Sequence, residues 1–280
     1  VLRPELGGEP ELAERFRNEA IAASRIGGEN VVDVLDFGAE PDGALYYVME
    51  ALEGCSLGAL IAEEGPFEVP RALALLDQLC RALAAAHARG VVHRDVKPDN
   101  VFVVRRPDGG EQVKVIDFGI SQVRPEEGRE RLTRAGAIIG TPEYMAPEQA
   151  AGGPVDHRAD VYALGGTLYY FLTGQTPFKG DTIVDLITSK ERGSFTPAKR
   201  ITPEVPERLD LILDKAMAKD PKHRYATMAE MIRDIESLNM ASESLSFITS
   251  PDREVMRRSG TAASPMASTR AGFNSQTSAP

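Results

Sequence analysis

The 280 residues contain no tryptophan, only two cysteines and four histidines. Two cysteines cannot make a disulfide framework, so Cys55 and Cys80 read as buried or half-buried thiols in a reducing compartment. No run of about 18 apolar residues occurs, so no segment has the pattern of a membrane span. No secretory leader pattern opens the chain, and the expected location is the cytoplasm. A membrane-anchored full-length form stays open. Basic residues are in the minority, 32 against 42 acidic, for a net charge of −10. That balance argues against a nucleic acid or an anionic membrane as partner of the whole chain, though not against a local basic site. What is present is ordinary for a globular protein: 42% hydrophobic and 26% charged residues, and length for one large domain or two lobes. The first residue is Val1 rather than Met, as in a fragment or a chain started from a GTG codon.

Strand patterns dominate the first part of the chain. Residues 30–37 and 45–52 alternate or run apolar, and Glu40-Pro41-Asp42-Gly43 between them reads as a turn. Before them, residues 10–25 have helical spacing, with Leu12, Phe16 and Ala20 on one face and Gly27-Gly28 as stop. After residue 52 helices prevail. The clearest spans 69–89, with Leu73, Leu76, Leu79, Leu83 and His87 on one face and Gly90 ending it. Short strands at 101–104 and 113–116 flank the turn residues Pro107-Asp108-Gly109-Gly110. Further helices are predicted over 160–173, 181–191, 206–218 and 227–239, the last opened by the capping box Thr227-x-x-Glu230. Residues 241–280 are rich in Ser, Thr, Ala and Pro, lack a periodic apolar face and read as a disordered tail.

The most informative stretch is His93-Arg94-Asp95-Val96-Lys97-Pro98-Asp99-Asn100. It places a carboxylate, an ammonium and an amide on one short loop. Asp117-Phe118-Gly119 comes next, then Gly140-Thr141-Pro142 and Ala146-Pro147-Glu148. These four words, in this order, resemble the catalytic segment of a protein kinase, and the Lys-Pro after Asp95 resembles the serine/threonine class of bacterial, eukaryotic-like enzymes. The resemblance covers roughly residues 1–240. It implies an α+β, two-lobe protein kinase fold. Residues 1–52 would be a partial small lobe with a regulatory helix and two strands. Residues 53–240 would be the large lobe with the catalytic loop and activation segment, and 241–280 the tail.

The resemblance also implies roles. Asp95 would be the base or hydroxyl-orienting group, because a serine or threonine hydroxyl is a poor nucleophile. Asn100 and Asp117 would hold Mg2+ on the phosphates of ATP, since magnesium prefers hard oxygens. Lys97 would balance charge on the transferring phosphoryl group. Glu50 and Leu52, after the gatekeeper Met49, would bond the adenine edge through their main chain, and Phe102 would pack beneath it. Arg94 would receive a phosphate on Thr133 of the activation segment. Thr141 would bond Asp95 and Lys97 through its hydroxyl. Glu148 should pair with Arg224, and Asp160 should accept hydrogen bonds from the catalytic-loop backbone. His93 and Phe118 would pack in a column linking the lobes, and His87 reads as a core histidine.

The glycine-rich loop and the strand lysine of the family do not occur in these residues. Glu19 matches the helix glutamate that pairs with that lysine, and Val1-Leu2-Arg3-Pro4-Glu5-Leu6 resembles the segment just after the lysine in bacterial members of the family. The sequence therefore reads as N-terminally incomplete, with an exposed small-lobe sheet. Three functions compete. The first is a serine/threonine protein kinase acting on protein substrates and autophosphorylating. The alternative is a pseudokinase or binding module. A small-molecule kinase shares the Asp…Asn and Asp pattern but not the Lys-Pro or Ala-Pro-Glu words. The family implies a homodimer for a full-length protein, through small-lobe surface largely missing here.

Overall fold

The computed structural model describes residues 24, 26–41, 44–118 and 141–238. The chain divides into two units, 1–243 and 244–280, and the described residues lie in the first. The expected helix at 10–25 and the expected tail fall almost wholly outside the described residues, as do Glu19, Thr133 and Gly119.

The chain enters as a hairpin of β1 (Val34–Ala39) and β2 (Leu45–Met49), antiparallel, with a register shift between Val34 and Asp36. Glu40 N–H to Ala44 O closes it at 2.8 Å. Both strands begin or end inside the expected ranges, because residues 30–33 turn away to meet the rest of the protein. Val31 bridges Val115, and Val32 N–H donates to Val115 O at 3.0 Å. Apolar side chains of the hairpin stay in solvent: Leu35 is 66% exposed, and Phe37 and Val48 about two-fifths.

After the connector Glu50-Ala51-Leu52 the chain forms β3 (Gly54–Ser56) and α1 (Leu57–Glu64), then α2 (Val69–His87). A second, three-stranded sheet has the order β3-β4-β5, with β4 at Val101–Arg105 and β5 at Glu111–Val115. The remaining helices are α3 (Pro147–Ala150), α4 (Arg158–Thr173), α5 (Ile183–Arg192), α6 (Ala198–Ile201), α7 (Glu207–Ala216) and α8 (Met228–Glu236).

The core sits around α4. Its buried residues occupy every face of the helix, as expected of an element surrounded by others. α2 packs on α4, α8 and β5, while α7 packs on α4. The last contact is close. A Cβ on Gly165 of α4 would sit 2.8 Å from Met217 Cγ and 2.9 Å from Ala216 Cβ, so only glycine lets the two helices meet there. Glu148 and Arg224 form the expected bidentate pair, with both oxygens 2.7 Å from the guanidinium, whose side chain is fully buried.

Caps follow the sequence only in part. Thr227 Oγ1 accepts from Glu230 N–H at 3.2 Å. The Glu230 carboxylate does not close the expected box on Thr227; it takes Lys215 Nζ at 2.6 Å and Ala226 N–H at 2.9 Å. A complete box occurs instead at Thr182 and Asp185, ahead of α5.

Candidate active site

The catalytic-loop words fold into an irregular stretch that ends in a 3-10 turn, Pro98–Asn100, just before β4. Pro98 suits that first helical position because its missing N–H needs no partner there. The turn brings the three polar groups of the loop together. Lys97 Nζ is 2.9 Å from Asp95 Oδ2. Asn100 Nδ2 donates to the same oxygen and to Asp95 O, each at 2.9 Å. Asp95 is therefore held by two neighbours through one oxygen, and Oδ1 carries neither bond. With its NH2 end on Asp95, Asn100 has its Oδ1 left for another ligand.

The loop is fastened from below. Asp160, fully buried at the start of α4, accepts His93 N–H at 2.8 Å and Arg94 N–H at 2.7 Å. Its Oδ2 also lies 2.7 Å from His87 Nε2. His87 is thus more than a packed core ring: its side chain is the polar partner of a buried carboxylate. Arg94 O accepts from Gln149 Nε2 at 2.9 Å. These bonds hold Arg94 at φ +65°, a left-handed conformation that L-residues adopt at a cost of roughly 1–2 kcal/mol. Asp117 has the same character, at φ +56°. Both non-glycine residues with positive φ among those described thus lie in the two catalytic words.

Asp117 Oδ1 accepts from the Tyr47 hydroxyl at 3.1 Å. Tyr47 lies on β2, so the small hairpin touches the carboxylate directly. The His93 and Phe118 rings pack with centroids 4.7 Å apart and planes tilted by 45°, and His93 Nε2 lies 3.1 Å from Ile116 O. Thr141 enters through its carbonyl, which accepts Tyr144 N–H at 3.4 Å. The expected bond from its hydroxyl to Asp95 or Lys97 does not occur; Lys97 and Asn100 meet Asp95 at Oδ2 instead.

At the connector, the Glu50 carboxylate accepts Lys114 Nζ at 2.6 Å and Asp33 N–H at 3.0 Å. Burial pulls this carboxyl up, but the Lys114 hydrogen bond, the Asp33 N–H and the Lys114 charge outweigh it and hold it below its ordinary value. Phe102 pairs with Lys114 across β4 and β5 and shares its face of the sheet. Since Lys114 reaches Glu50, that face looks toward the connector. A recess of about 720 Å3 lies here, lined by Glu50, Leu52, Val104, Arg106 and Lys114 among others. Asp95, Asn100 and Asp117 do not line it, so it is separate from those three residues.

Asn100 and Asp117 suit a magnesium ion in kind: one amide oxygen and one carboxylate, both hard donors. Among the described residues no group of three His, Cys, Asp or Glu side chains surrounds a common point. The remaining ligands of such an ion would come from phosphate and water.

Residues 6–234 match the model of the protein kinase domain. The chain belongs to the protein kinase family. Its two-lobe α+β fold is that family's. The kinase Pkn1 of Myxococcus xanthus, a serine/threonine-protein kinase by name, is 43% identical over 82% of this chain and 32% of its own length. PrkC of Bacillus subtilis is 38% identical over 85% of the chain and 35% of its own length. This kinase chain thus spans about a third of those relatives. Among solved structures, the PknI kinase domain of Mycobacterium tuberculosis superposes with a TM-score of 0.64 at 28% identity, covering 85% of this chain and 83% of that one.

Four groupings escaped the sequence reading. The helix α1 had its signal in place: Ser56 caps it by accepting Ala59 N–H at 3.2 Å, and Leu57, Leu60 and Ile61 form its buried face. The Asp160–His87 contact had no such signal. Nor did Asn30, whose amide donates to Gln78 Oε1 at 3.0 Å and Val113 O at 2.9 Å and so ties the hairpin's approach to α2 and β5. Nor did Lys190, which is 2% exposed.

Proposed function

We propose that the protein is a serine/threonine protein kinase that transfers the γ-phosphate of ATP to protein Ser and Thr hydroxyls, its own included, in signalling. The observation that carries this reading is the state of Asp95, with Oδ2 fixed by Lys97 and Asn100 and Oδ1 left for the acceptor hydroxyl. Asp95 orients that hydroxyl and accepts its proton as oxygen attacks the γ-phosphorus and the bond to ADP breaks. Lys97 stays beside the transferring group as a point cation. Asn100 and Asp117 hold Mg2+, which supplies charge neutralisation on the phosphates. The main chain of Glu50 and Leu52 takes the adenine edge, above Phe102. Arg94 receives a phosphate on Thr133, Thr141 supports the acceptor side, and Glu19 is the carboxylate for a nucleotide-positioning lysine.

The same reading divides the chain into 1–52 of small lobe, 53–240 of large lobe and a 241–280 tail. It assigns protein substrates and ATP as partners, no nucleic acid, and a homodimer for the full-length protein. Location is cytoplasmic or membrane-anchored; no helix among the described residues is long and apolar enough to cross a bilayer. The relatives' names give no support to a module without catalysis.

Asp95→Asn in the full chain tests the proposal. Transfer from labelled ATP to protein in the presence of Mg2+ should fall by about 10²–10⁴-fold, with the melting temperature unchanged. Wild-type transfer by the variant would sink it.

A further inference from the structure

Lys190 is a lysine in the wrong place for a surface helix. It sits in the last turn of α5, yet it ranks among the largest fully buried side chains of the described residues. Its Nζ donates to Glu143 O at 2.6 Å and to Met145 O at 2.7 Å. It also lies over the Tyr162 ring at 5.4 Å and the Phe178 ring at 5.9 Å.

The two carbonyls explain the lysine. They belong to Thr141-Pro142-Glu143-Tyr144-Met145-Ala146-Pro147, which runs from the described end of the activation segment into α3. Two prolines keep this stretch out of any ladder, so its buried carbonyls need donors from elsewhere. Ala146 N–H is met by Gln149 Oε1 at 3.1 Å, and the same Gln149 holds Arg94 O. One side of the segment is therefore tied to the residue before Asp95, and the other to α5 through Lys190. The segment therefore borders the loop that carries Asp95, where the proposed acceptor hydroxyl would sit.

We propose that Lys190 is a positioning residue for the acceptor peptide: it fixes the backbone of residues 143–145 as the wall against which a residue neighbouring the phosphoacceptor lies. The proposal rests on the kinase reading above. The hold does not require a charge, since a neutral amine keeps two N–H donors for the two carbonyls. Burial pushes this ammonium down to about 7, and the nearby Glu143 charge pulls it back only in part. Glu143 Oε2 is itself buried without a hydrogen bond, so it is the local counter-charge rather than a second strut.

The test is Lys190→Met in the full chain, assayed on an arrayed library of Thr-centred peptides. K190M fills the space but removes both donors. The expected result is a KM for peptide raised by about tenfold, an unchanged KM for ATP, and flattened residue preference at one position beside the acceptor. A uniform loss at every position, or a parallel fall in ATP affinity, would show a merely structural lysine and overturn the proposal; so would an unchanged preference profile. If K190M does not fold, K190Q, with an NH2 group on a shorter chain, is read by the same profile. A wild-type protein that phosphorylates no peptide or protein would instead remove the kinase reading, before any variant is compared.

Discussion

The hairpin β1–β2 and the helical lobe around α4 are built on opposite terms. The hairpin leaves Leu35, Phe37 and Val48 in water, and its side-chain ties to the rest among the described residues include Asn30 to Gln78 and Val113, Glu50 to Lys114, and Tyr47 to Asp117. The lobe buries charge as well as apolar surface, with Asp160, Lys190 and Arg224 all at 4% exposure or less. Asp95, the proposed base, stands on the second kind of ground. The proposed hydroxyl activation would therefore be set by the lobe, whereas the grip on Asp117 and the connector is shared with the hairpin, which leaves apolar side chains in water.

Three changes probe that contrast. The largest effect belongs to Arg224→Ala. It strands Glu148 and removes donors from Ala218 O, Arg158 O and Lys219 O. Denaturant unfolding should show a loss of about 3–5 kcal/mol. A loss near zero would mean that the lobe does not depend on its buried charges.

The second concerns pH. Lys190 titrates near 7 in the folded protein against 10.5 for a free lysine. Between these values the unfolded chain binds more protons, so stability should rise with pH across the window and fall back as pH drops toward 7. The gain is on the order of a few kcal/mol, since each tenfold change in proton affinity between the folded and unfolded chain is worth about 1.4 kcal/mol. Unfolding midpoints at about pH 7 and about pH 9.5, in wild type and K190M, check it. The climb should vanish in the variant.

The smallest effect is expected from Leu35→Ser in the hairpin, within about 0.5 kcal/mol of wild type in the same unfolding assay. A loss above about 2 kcal/mol would mean that the exposed face is covered in solution.

What could be read from the sequence was whatever local order carries. The loop 93–100, the Asp117 word, the helices after residue 156 and the partners Glu148 and Arg224 all come from residue order or family resemblance. What could not be read was set by distant neighbours. A lysine near the end of an amphipathic helix looks solvated until the segment 141–147 covers it. His87 looks like a core ring because the carboxylate that meets it lies 73 residues away. The capping box expected at Thr227 stays half-made because Lys215, on another helix, and the Ala226 amide take the Glu230 carboxylate.

The bonds of Asp160 have a consequence for how the catalytic loop breathes. An irregular loop ordinarily opens on its own, at a small free energy, while the core stays shut. Here two consecutive amides, those of His93 and Arg94, are fixed to a carboxylate on the helix at the centre of the core. They are released only when that helix gives way. In cooperative unfolding, the residues next to Asp95 thus count with α4 rather than with the surface loops they resemble, and Asp95 keeps its place for as long as the lobe exists.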